Sequence, residues 1–178
     1  MMATKISTIL DSFMEEGIKL TPIGATLLGV PGADDKLDDF SMVGQKAREE
    51  LTRKTLDAVK RETPANEFDR VAQAVAVERL SSELKLSESH ESSAIFNLIS
   101  SPVKSIRQVF EMMKKDTPDS QANVAARLNA VGDALKGWCS TLDFVAGAGR
   151  VNSTRQVEAT IGQLETFSKG AFQNVAKK

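Results

Sequence analysis

Between Thr117 and about Ala146, seven large apolar residues recur at alternating spacings of four and three: Val124, Leu128, Val131, Leu135, Trp138, Leu142 and Val145. That interval returns each of them to one stripe of an α-helix. Thr117 suits the N-cap, Pro118 has no N–H to lose at the first helical position, and Asp119 complements the positive end of the helix dipole. Gly147 and Gly149 stand where such a helix should stop. Burial of each large side chain contributes roughly 1.5–3 kcal/mol, which outweighs the cost of about 1 kcal/mol each for Gly132 and Gly137 inside the run.

The residues beside the stripe say what surrounds it. In heptad terms one edge carries Ala125, Gly132 and Cys139 and the other Arg127, Ala134 and Thr141, where an extended coiled coil would place paired charges. Small residues there widen the buried face. The expectation is a multi-helix bundle in which one long central helix, about 118–146, is touched by neighbours on both edges.

The remaining segments also read as helices and loops. Ile6, Ile9, Leu10 and Phe13 give a first amphipathic helix from Ala3 to Glu16 that Gly17 ends, and Pro22 opens a short helix that Gly29 closes. Val30 to Phe40, with Pro31, Gly32 and four aspartates, reads as a loop. A helix from Ser41 to Arg61 should turn Val43, Ala47, Leu51, Ala58 and Val59 inward, with Pro64 marking its stop. Asn66 caps the next, which carries Phe68, Val71, Ala72, Val75, Leu80 and Leu84 and should be buried on more than one side. Ser87 to Ser101 reads as a loop whose apolar half, Ala94 to Ile99, packs on the bundle. Ser101-Pro102 starts a helix with Val103, Ile106, Val109, Phe110 and Met113 inward, and a last helix from Ser153 carries Val157, Ile161, Leu164, Ala171 and Val175. No segment sustains the two-residue alternation of a strand and no repeat of solenoid type occurs, so the predicted class is all-α.

Bulk properties exclude some functions. A chain of 178 residues, 41% hydrophobic, can bury one sizeable core and needs no more than a single domain. With 23 basic and 24 acidic residues there is no field to draw nucleic acid or an anionic membrane, and Arg107, Lys114 and Lys115 read as a solvated helix end. Cys139, the one cysteine, permits no internal disulfide. Met1 to Ser12 does not read as a secretory signal and no apolar run approaches a bilayer span, so the expectation is a soluble, cytoplasmic protein.

No motif completes a catalytic or ligand site. His90-Glu91 begins a zinc-protease signature, yet the position of the second imidazole holds Ala94 and the chain has no other histidine. His90 therefore reads as a surface loop residue. Asp34, Asp35, Asp38 and Asp39 lack the ligand spacing and final glutamate of a calcium loop, and read as helix-start and solvated carboxylates. Gly147-Ala148-Gly149-Arg150 follows a helix, not the strand a dinucleotide loop needs. Met112 and Met113 read as core filler and rim, not a ligand site, and Trp138 as a core anchor. No catalytic, cofactor-binding or metal-ligating residue is assigned.

Three ordered stretches carry a resemblance: Pro22-x-x-Ala25-Thr26-x-Leu28-Gly29 followed by Asp34-Asp35-x-Leu37-x-Asp39-x-Ser41; Asn97-x-x-Ser100-Ser101-Pro102 with Ile106; and Gly149-Arg150-Val151 with Arg155-Gln156-Val157. Together they resemble the N-terminal portion of the bacterial domain-of-unknown-function family 885, over most of the chain to about Phe167. The resemblance implies a longer helical protein similar to thermolysin-related zinc peptidases, with His-Glu-x-x-His much later. This sequence ends before that part would begin, so zinc is expected only in the missing C-terminal part and the chain alone is expected to be inactive. The implied role is a helical scaffold or substrate-channel wall packed on a catalytic half. The alternative is a free-standing helical interaction module, which draws on the small-residue edges of the long helix and on the Ile95-Phe96 and Leu98-Ile99 pairs. The expected partners are the missing catalytic half or a second copy through an exposed surface.

Overall fold

Capping side chains set where six of the seven described helices begin. The computed structural model describes residues 3–90, 93, 96 and 99–170. Among these it contains α1 (Lys5–Leu20), α2 (Pro22–Leu27), α3 (Met42–Arg61), α4 (Glu67–Glu88), α5 (Pro102–Met112), α6 (Pro118–Gly147) and α7 (Thr154–Ser168). No described residue lies in a strand, and the architecture is all-α. Ser41, Asn66, Ser101, Thr117 and Ser153 each accept a backbone N–H of the first turn on their side chains, which satisfies donors the helix cannot. At Thr4 and Thr117 a serine three residues on returns the bond to the cap N–H, closing a reciprocal box. Thr4 also donates to the buried Asp69 at 2.7 Å, so the starts of α1 and α4 are tied together.

Two apolar clusters organise the packing. α1, α3 and α4 enclose Leu56, Leu80 and Leu84, with Phe13 and Val77 against them. α2, α5 and α6 enclose Ile23, Ile106, Val109, Phe110, Met113 and Val124, backed by Leu128, Val131 and Leu135 of the long stripe. α3 and α6 join the two halves closely. A Cβ on Gly137 would lie 3.2 Å from the Ser41 nitrogen, and the Thr141 hydroxyl donates to the Phe40 carbonyl at 2.8 Å. Gly137 thus gives the start of α3 room to approach.

Several expectations need correction. α1 does not stop at Gly17: it continues to Leu20, and the amide and hydroxyl of Thr21 both donate to the Gly17 carbonyl before Pro22. The inner side of α3 is Leu51, Thr52, Thr55, Leu56 and Val59, whereas Val43 is 73% exposed. α4 buries one face only, through Asp69, Ala76, Leu80 and Leu84. Phe68, Val71 and Val75 form a separate stripe that is 75%, 52% and 56% exposed. The long helix is covered on one edge: Arg127 and Thr141 are fully buried, while Ala125, Gly132 and Cys139 are exposed. α7 starts where expected, with Ser153 as its cap, and seats Phe167 beneath the Arg107 guanidinium, 5.3 Å from the ring centre. Ala171 and Val175, with Ile95 and Leu98, lie outside the described residues.

Candidate functional site

The most concentrated polar chemistry surrounds one side chain of α6. Arg127, fully buried, donates from Nε to the Lys36 carbonyl at 2.7 Å. Its Nη2 donates to the Ala33 carbonyl at 2.8 Å and to the Thr26 hydroxyl at 3.0 Å. The Thr26 hydroxyl in turn donates a hydrogen bond to Asp34 at 2.7 Å, so guanidinium, hydroxyl and carboxylate form a chain of charge-assisted bonds. The loop between α2 and α3 is held to α6 by these contacts. Burial pushes the Arg127 pKa down and the carboxylates of Asp34, Asp38 and Asp35 oppose that shift; the group stays a cation at any ordinary pH. Its Nη1 is buried without a hydrogen-bond partner among the described residues.

Asp38 and Asp39 take structural tasks in the same loop. Asp38 accepts the Ile23 amide at 2.9 Å, satisfying an orphan donor of α2. Burial raises the Asp38 pKa; the Ile23 N–H, Arg48 and Arg127 pull the other way. Asp38 was expected at the start of the following helix; it serves instead at the start of the preceding one, α2. Asp39 accepts the Ser41 amide at 2.8 Å, and its carbonyl accepts Arg48 Nη1 at 3.0 Å. A Cβ on Gly44 would lie 2.2 Å from that same carbonyl, so only glycine fits there.

Beyond Asp38 opens a polar cavity of about 330 Å³, walled by α3, α4, α5 and α6 and lined by Arg48, Glu49, Glu83, Ser87 and Trp138 among others. Trp138 is buried and stacks on Phe96, ring centres 5.2 Å apart. The polar lining is largely paired with itself. Thr52 and Glu83 lie 3.4 Å apart, Ser87 donates to Glu49 at 3.2 Å, Arg53 donates to Glu49 at 2.7 Å, and Ser93 donates to Gln45. Burial lowers the Arg48 pKa, with Asp38, Asp39 and Glu83 resisting the shift. Among the described residues no histidine, lysine or cysteine lines the cavity, whose titratable groups are Asp38, Arg48, Glu49 and Glu83.

Among the described residues His90, Cys139 and the loop aspartates form no shared site. His90 is half-buried rather than on an open loop: it follows α4 with φ of 57° and sets its ring edge-on to Phe144, 5.6 Å between centres. Glu91 and Ala94 lie outside the described residues. Cys139 is exposed, and among the described residues no three His, Cys, Asp or Glu side chains are placed to hold a metal ion. Met113 is buried and Met112 exposed, matching core filler and rim. Arg127 and Arg48 were not singled out from sequence. The available signal was Arg127 in the series Arg127, Ala134, Thr141, a charge on a helix edge of otherwise small residues.

No characterised protein matches the sequence. Thr26, Asp34 and Asp39, three of the residues that carry the family resemblance, lie in the loop network that engages Arg127 and Ser41. Residues 22–177 match the family described as Bacterial protein of unknown function (DUF885), and the chain belongs to that family.

Proposed function

We propose that this chain is the N-terminal helical wall of a substrate channel in a zinc-peptidase-like protein, a scaffold whose catalytic groups lie in another part of the polypeptide. The carrying observation is the use made of the motif residues. Ala25 and Ile106 are core, Ser41 and Ser101 are caps, Thr26 and Asp34 engage Arg127, and Asp39 braces Ser41. Residues that recur for catalysis converge on a reaction centre with unpaired acids, bases or ligands. These converge on helix junctions.

Among the described residues the side chains do not fit a zinc centre. Zinc of the peptidase type needs imidazole and carboxylate ligands converging within bonding distance, and the sole histidine faces a phenylalanine. No step of a peptidase reaction is therefore assigned to these residues. Their part in the proposed reading is to hold the polar cavity beside Arg48 open towards the catalytic half. The test is peptide hydrolysis by the purified chain, with and without the polypeptide encoded downstream. Turnover only in the presence of the second part supports the reading; turnover by the chain alone overturns it.

A further inference from the structure

One surface of α4 has no task in that reading. Phe68, Val71 and Val75 stand outward at helical spacing and, with Leu10 and Phe13 of α1, line an almost wholly apolar groove of about 420 Å³. At roughly 100° per residue the stripe is bordered on opposite edges by Glu78 and Arg79. Glu67 is already paired with Arg70, but neither Glu78 nor Arg79 makes an ion pair among the described residues.

We infer that this face pairs with the same face of a second copy, the two α4 helices side by side and parallel about a twofold axis. Parallel pairing sets opposite edges of the two stripes against each other, which places each Glu78 beside the partner's Arg79. Antiparallel pairing sets like edges together and brings Glu67 and Glu78 against the same carboxylates of the other copy. The stripe is thus self-complementary in one orientation only: the apolar residues meet across the axis and two ion pairs close the rim. A twofold contact of this kind needs nothing beyond the surface each copy already carries. The inference goes beyond the scaffold reading and does not depend on a peptidase role.

Sedimentation equilibrium of the full chain over a wide concentration range is the test, with circular dichroism to confirm that each variant folds. The chain should form a reversible dimer. Val75→Glu, at an exposed position on the axis, should abolish it while leaving helicity unchanged. Glu78→Arg and Arg79→Glu should each weaken the dimer by about tenfold, and the double exchange should restore it. A monomer at every concentration overturns the inference, as does a dimer indifferent to Val75→Glu. Failure of the double exchange to rescue either single change overturns the parallel arrangement.

Discussion

Replacing Arg127 by methionine tests how much the α2–α3 loop depends on one guanidinium. The methionine thioether keeps the apolar stem and about the same length. Three acceptors within 3.0 Å lose their donor: the Lys36 and Ala33 carbonyls, at 2.7 and 2.8 Å, and the Thr26 hydroxyl at 3.0 Å. A buried acceptor left without a partner costs about 1–3 kcal/mol. Against that, removal of a buried cation with one unpartnered nitrogen returns a similar amount once. Three losses outweigh one gain, so the change should destabilise the fold by about 2–6 kcal/mol. Urea unfolding followed by the fluorescence of Trp138, which is 4% exposed, reads the difference directly. Arg127→Lys keeps the charge but cannot reproduce a forked set of bonds to three acceptors, and should fall near the methionine variant. A methionine variant within about 0.5 kcal/mol of the parent would refute the reasoning, because that is the range of a surface substitution.

Further outcomes follow from the same geometry. Gly44→Ala should cost about 2–4 kcal/mol, since its Cβ would sit 2.2 Å from the Asp39 carbonyl, whereas Gly132→Ala, which meets nothing, should gain about 1 kcal/mol of helix propensity; thermal melts of the two check the contrast. Asp38 binds its proton more tightly folded than unfolded, so the stability it contributes is complete below its ordinary pKa of 3.8 and is lost as pH rises through the higher folded value. Asp38→Asn keeps an acceptor for the Ile23 amide without titrating. The unfolding free energy of the parent minus that of the variant should therefore fall from about pH 3.8 upward, and a flat or rising difference would contradict the burial of that carboxylate. Thr117→Ala removes one half of a reciprocal cap and should cost about 0.5–2 kcal/mol, seen as a lower melting temperature.

What the sequence discloses about this protein is governed by range. The starts of α4, α5, α6 and α7 at Asn66, Ser101, Thr117 and Ser153 are legible because a cap acts within one turn of its own residue. The inward residues of α5 are legible because that helix has only one apolar face. α4 has two, Leu80 and Leu84 on one side and Phe68, Val71 and Val75 on another, and its own sequence does not say which one a neighbour covers. Gly17 shows the converse error. Glycine ends a helix only where the chain then turns, and here Ile18 and Leu20 continue the helix until Pro22. Arg127 was hidden for a different reason. An arginine reads as solvated by default, and its principal acceptors are backbone carbonyls about ninety residues away, which have no sequence signature. Asp38 caps α2 and not the helix that follows it, because the loop that Arg127 holds folds back onto Ile23.

The account rests on the claim that these helices supply architecture and no reactive centre. Calorimetric titration of the purified, metal-free chain with zinc addresses that claim most directly, because a peptidase centre of this type binds the ion stoichiometrically and tightly. The account predicts no saturable heat at one equivalent. A sharp one-to-one transition, abolished by His90→Ala with the helices intact, would contradict it.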